Sequence, residues 1–150
     1  MAYTKIIAHR GSRGNRPENT LEAFQEALKV SSDGIELDVH LSKDGQVVVI
    51  HDETVDRTTS GKGYVKDMTL KQLKELDAGS WFDPKYSNAR IPTLQEVLDL
   101  LAENHFSGVL NVELKTDVFQ YSAIEEKVLA LAEPYLAQFS VIYSSFHYET

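Results

Sequence analysis

The chain has 150 residues, 42% hydrophobic and 25% charged, the balance of one soluble domain with a single core and no cysteine for disulfides, thiolate ligands or a thiol nucleophile. Fifteen Lys and Arg against 23 Asp and Glu give a net charge of −8, which argues against nucleic-acid or anionic-membrane binding but allows a local basic pocket for one phosphate. No apolar run approaches the roughly 18 residues of a membrane span and no signal-peptide pattern opens the chain, so we expect a cytoplasmic protein without a stable membrane anchor.

Thr4 to Ala8 is a β-prone run ending at His9-Arg10-Gly11, followed by a polar loop through Pro17. Asn19 with Glu22 three residues on reads as a capping-box variant opening a helix, whose apolar face carries Leu21, Phe24 and Leu28. Gly34 starts a strand, Ile35 to Leu41, with every odd position apolar. Asp44-Gly45 predicts a two-residue type I′ hairpin leading into Val47 to Ile50 and then His51-Asp52. Residues 52–92 are polar and break the alternation, holding one short amphipathic turn behind Thr69 and Gln72, so they read as an insertion. Trp81 and Phe82 are assigned to its small core, with a wall of a substrate groove as their other use. Thr93 with Glu96 caps the next helix, on which Leu94, Val97, Leu98 and Leu101 share a face. A strand over Val109–Leu114, a helix from Tyr121 to Glu133 and a strand from Ser140 complete the run.

Strands alternating with helices imply a parallel sheet covered by helices. Four barrel-type strands fall at 4–9, 34–38, 109–114 and 140–145. A closed (β/α)8 barrel takes about 250 residues, so this single domain reads as the N-terminal half of one. Two open sheet edges would then remain, and we expect a longer chain or self-association to cover them.

Polar residues collect at the C-terminal strand ends, where barrel chemistry sits. Glu36 and Asp38, two apart on a strand, point to one face, and two carboxylates held together ask for a divalent cation. Glu113 shares the inward parity of Asn111 and Lys115 and supplies a third carboxylate. The predicted hairpin register sets His51 directly across from Asp38, while His40 points further up the hairpin and reads as a bystander. Arg10 can fork onto a phosphate, with Gly11 allowing the turn. Two histidines, one arginine, one lysine and three carboxylates on converging strand ends suit metal-assisted phosphoryl chemistry. Thr59 to Gly63 lacks the spacing of a P-loop, and Ser144-Ser145 has no local catalytic partner.

The stretches AHRGSRGNRPENT, GIELDVHLSKDGQVVVIHDETVDRTTSGKG, IPTLQEVL and NVELK resemble the glycerophosphodiester phosphodiesterase family, over essentially the whole chain. The resemblance implies a TIM barrel with a small insertion, and hydrolysis of glycerophosphodiesters to glycerol 3-phosphate and an alcohol with Mg²⁺ or Ca²⁺. By it, His9 and His51 would be the acid/base pair, Glu36, Asp38 and Glu113 the metal ligands, and Arg10 and Lys115 the phosphate contacts. Two other readings are a phospholipase D-like enzyme acting on lysophospholipids and a non-catalytic fragment that binds a cation or phosphate.

Overall fold

A computed structural model describes residues 3–150. One sheet holds five strands, β1 (Ile7–His9), β2 (Gly34–Leu41), β3 (Val47–Val49), β4 (Val109–Leu114) and β5 (Ser140–Ser144). β1, β2, β4 and β5 run parallel in that order, and β3 pairs antiparallel with β2. The crossovers carry α1 (Leu21–Lys29), α2 (Leu70–Glu75), α3 (Leu94–Glu103) and α4 (Ile124–Ala132). This is the first half of a (β/α)8 barrel, as the alternation of elements predicts.

The period of two along β2 divides the molecule. Ile35, Leu37 and Val39 are fully buried against Phe24 and Ala27 of α1, Leu94, Val97, Leu98 and Leu101 of α3, and Ile124 and Val128 of α4. Glu36, Asp38 and His40 take the other face, which would be the barrel interior. On that inner face Ile7 and Ile142 stand 40% and 52% exposed on β1 and β5, the two edge strands. The helical layer therefore carries the stability. Leu98→Ala, at a fully buried site, should cost about 2–5 kcal/mol. Urea unfolding measures this, and a loss below about 1 kcal/mol would show that α3 contributes little to the core.

Local chemistry sets the boundaries, and several differ from expectation. Thr20, not Asn19, caps α1 by accepting the Ala23 N–H, while Asn19 sits in the left-handed region at φ 54°. Capping boxes at Thr69 and Thr93 form as predicted. α4 starts at Ile124, behind a left-handed Ala123, so Tyr121 precedes the helix. Its C-terminal end passes into a 3-10 turn at Glu133–Tyr135, where Pro134 supplies no N–H.

The hairpin departs from the predicted register by one residue. Val39 pairs with Val49, and Leu41 with Val47. The Gly45 N–H donates to Ser42 O at 2.9 Å and the Ser42 N–H to Gln46 O at 2.9 Å, so Lys43, Asp44 and Gly45 form a three-residue loop. Gly45 at φ 76° supplies the extra left-handed residue of a bulged turn. Ile50 thus donates to the Asp38 carbonyl at 3.0 Å, and His51 is not across from Asp38. A slip of one reverses the face of every β3 side chain. Val47 and Val49 consequently join the main core, whereas Val48 and Ile50 join a second apolar cluster with Val55, Val65, Leu73, Ala78 and Ile91. Those residues form the core of the polar segment. Trp81 and Phe82 lie outside it, packed edge to face on each other, with Trp81 40% exposed.

Candidate active site

The parallel register stacks the strand ends in two rungs. His9, Glu36, Asn111 and Ile142 are neighbours in the first, and Asp38, Glu113 and Ser144 in the second. Glu36, Asp38 and Glu113 offer oxygen atoms that all lie within 4.8 Å of one another. Glu36 Oε1 and Asp38 Oδ1 are buried and have no hydrogen-bond partner among the described residues. Burial, then the neighbouring Asp38 and Glu113 charges, push the Glu36 carboxyl up to about 7. Crowded, unpartnered carboxylate oxygens of this kind match a hard divalent cation, which prefers oxygen ligands.

The turn after β1 brings positive charge to these acids. Arg10 and Gly11 are both left-handed, at φ 57° and 73°. A Cβ on Gly11 would lie 2.7 Å from the Ala23 carbonyl carbon, so helix α1 leaves room only for glycine there. The turn aims the Arg10 N–H at Glu36 Oε2 at 2.9 Å. Its guanidinium lies between acids, with Nη1 3.0 Å from Glu18 Oε1 and Nε 3.5 Å from Asp38 Oδ2. On the other side Lys115 Nζ is 3.3 Å from Glu113 Oε1 and 4.0 Å from Asp117.

His9 Nε2 lies 3.7 Å from Glu36 Oε2. Partial burial and the nearby Arg10 and Arg13 charges hold its pKa below the usual histidine value. His51 lies in a bend beyond β3, where its Nδ1 donates to Asp52 Oδ1 at 2.7 Å. Asp52 also takes two bonds from Arg57, Nε to Oδ2 at 2.8 Å and Nη2 to Oδ1 at 2.9 Å. Those bonds hold its carboxyl down at about 2, against the opposing effect of burial.

Several residues here carry no signal in a linear reading. Glu18 accepts from both Arg10 and Arg57, which closes a chain of ion pairs from Asp52 to Asp38. Asn19, read as a cap, instead turns its Nδ2 to Asp38 Oδ2 at 2.9 Å. His40, read as a bystander, is fully buried with both ring nitrogens engaged. Only the neighbouring PENT and HD strings hinted at Glu18, Asn19 and Asp52.

Residues 9–150 match the sequence profile of the Glycerophosphoryl diester phosphodiesterase family. The chain belongs to that family. A glycerophosphodiester phosphodiesterase of Caldanaerobacter subterraneus subsp. tengcongensis is 51% identical over 145 residues, covering 97% of this chain and 59% of the relative. The crystal structure of glycerophosphodiester phosphodiesterase from Agrobacterium tumefaciens superposes with a TM-score of 0.85 at 41% identity, covering 98% of this chain and 60% of that one. A phosphodiesterase of Oleispira antarctica, solved in complex with the product sn-glycerol-3-phosphate, gives a TM-score of 0.82 at 38% identity, with 97% and 58% covered. The chain thus spans about three-fifths of the length of these family members.

Proposed function

We propose that this chain carries the acid/base and metal-binding half of a glycerophosphodiester phosphodiesterase, which releases glycerol 3-phosphate and an alcohol. The convergence of Glu36, Asp38 and Glu113 oxygens within 4.8 Å, with a buried oxygen on each of Glu36 and Asp38 unpartnered among the described residues, carries the reading. These three carboxylates would hold Mg²⁺ or Ca²⁺, which when bound supplies positive charge to the phosphoryl oxygens.

The side chains of the chain divide the remaining work. His9, neutral at physiological pH because its pKa is lowered, accepts the proton of the attacking oxygen, either from water or from the adjacent glycerol hydroxyl, in which case water then opens the resulting cyclic phosphate to glycerol 3-phosphate. As that oxygen bonds to phosphorus, the P–O bond to the alcohol breaks. His51 donates a proton to the departing oxygen from Nε2, because its Nδ1 proton is already committed to Asp52. Lys115, and Arg10 if its guanidinium turns from Glu18, neutralise developing negative charge on the phosphoryl oxygens.

Residues 52–92 act as an insertion that shares an apolar cluster with Val48 and Ile50, and its Arg57 backs Asp52 through paired hydrogen bonds. The soluble substrate suits a cytoplasmic location, and no helix among the described residues is long and apolar enough to cross a membrane. The test is glycerol 3-phosphate release from glycerophosphocholine in Mg²⁺ or Ca²⁺, repeated in excess chelator and on a chain extended beyond Thr150. Release that stops with chelator supports the reading. Chelator-resistant release, or none from the extended chain, overturns it.

A further inference from the structure

The β2–β3 ladder ends where the Ile50 N–H meets the Asp38 carbonyl at 3.0 Å. His51 follows in a bend, outside the strand. Its carbonyl accepts instead from His40 Nε2 at 3.0 Å. Since a carbonyl only accepts, Nε2 carries the proton, which leaves Nδ1 of a neutral ring to accept from the Tyr121 hydroxyl at 2.9 Å. His40 is fully inaccessible to solvent. Tyr121 also meets the His40 ring edge-on, at 5.7 Å between centroids. Burying an imidazole where an aliphatic side chain would pack is costly unless each nitrogen is paired, and here each is.

We propose that His40, oriented by Tyr121, is a positioning residue that sets the main chain of His51 where the hairpin ladder no longer does. This inference rests on the acid role given to His51 above. Two constraints then meet on one residue: Asp52 orients the imidazole, and His40 fixes the carbonyl behind it. The pairing spans 81 residues and ties the segment before α4 to the hairpin exit. Displacing a proton donor by about 1 Å can cost on the order of 100-fold in rate.

The test compares His40→Leu, His40→Gln, Tyr121→Phe and His51→Ala with the unaltered chain. Turnover of glycerophosphocholine, KM, Mg²⁺ affinity by calorimetry and thermal melting are measured on each. The His40→Leu variant should lose kcat by on the order of 10- to 100-fold, with KM and Mg²⁺ affinity within about twofold. His40→Gln keeps an N–H donor for the same carbonyl and should recover most of that loss, while Tyr121→Phe falls between. A folded His40→Leu protein with full kcat beside an inactive His51→Ala protein overturns the positioning role alone. Full turnover in His51→Ala overturns both that role and the reading it rests on. Should the chain by itself turn over too slowly to follow, the ¹⁵N resonances of the His51 ring decide. They should move and broaden in His40→Leu but not in His40→Gln, and an unchanged His51 signal in His40→Leu overturns the proposal.

Discussion

Replacing His9 or His51 by alanine is expected to lower kcat by roughly 10²- to 10⁴-fold while leaving Mg²⁺ affinity nearly unchanged. The two halves of this expectation have separate causes. Neither imidazole belongs to the carboxylate cluster, so the cation keeps its three candidate oxygens in either variant. In the proposed roles each ring handles a proton, His9 from beside Glu36 on the first rung and His51 from its bond to Asp52. The pH profile then tells the two apart. Because the His9 pKa lies below 6.5, the acid limb of kcat/KM should set in below that value. Removal of His9 should abolish this acid limb along with most of the rate. Asp52→Asn keeps the size of the group but weakens its hold on His51, and should lower kcat less than His51→Ala does. Steady-state kinetics at saturating Mg²⁺ measure all three, and near-normal turnover in His9→Ala or His51→Ala would sink the assignment of roles.

How much of the fold and site was legible in the sequence follows from how local each interaction is. The two faces of β2 follow from a period of two, so the alternation of Ile35, Leu37 and Val39 with Glu36 and Asp38 is enough to tell which side chains share a surface. Parallel alternation likewise placed the β4 carboxylate on the same side as the β2 pair. Turn chemistry was readable only by type. Asp44-Gly45 marks a reversal, yet whether two or three residues form it depends on whether Ser42 pairs with Gln46, and that one residue moved His51 off Asp38. At Asn19 and Thr20 two good capping residues adjoin, and tertiary demand separated them: Asp38 captured the amide, leaving the hydroxyl to cap the helix. The Glu18–Arg57 pair spans 39 residues and the His40–Tyr121 pair 81, and no spacing rule reaches that far. The use of an ionisable residue inside a barrel depends on such distant partners, which is why His40 looked idle in the strand that carries it.

The second large effect concerns the charge balance of the carboxylates themselves. Without a cation, the Glu36 carboxyl titrates near 7, against about 4.5 in an unfolded chain. Between those values the folded state holds a proton that the unfolded state has lost, so stability falls as pH rises through this window. A gap of this size corresponds to about 3 kcal/mol. His9 and His40 act in the opposite sense, since their lowered pKa values withdraw stability as pH falls below 6.5. Asp52 and Glu18, both lowered, contribute stability that is fully present above about pH 5 and lost only in more acidic solution. A raw stability curve therefore mixes opposing slopes. Subtracting the curve of Glu36→Gln removes the slopes of groups remote from this cluster and leaves the Glu36 carboxyl with its coupling to Asp38 and Glu113. In chelator, the unaltered chain should lose about 3 kcal/mol relative to Glu36→Gln between pH 4.5 and 8, read by urea unfolding. Saturating Mg²⁺ should reverse the order above pH 7, because a cation that binds only the folded state stabilises it in proportion to its affinity. Below pH 6 a proton must leave Glu36 before the cation can bind, so the gain in Tm from Mg²⁺ should shrink there. A difference curve that is flat in chelator and blind to Mg²⁺ would mean that Glu36 is neither crowded by its neighbours nor part of a cation site.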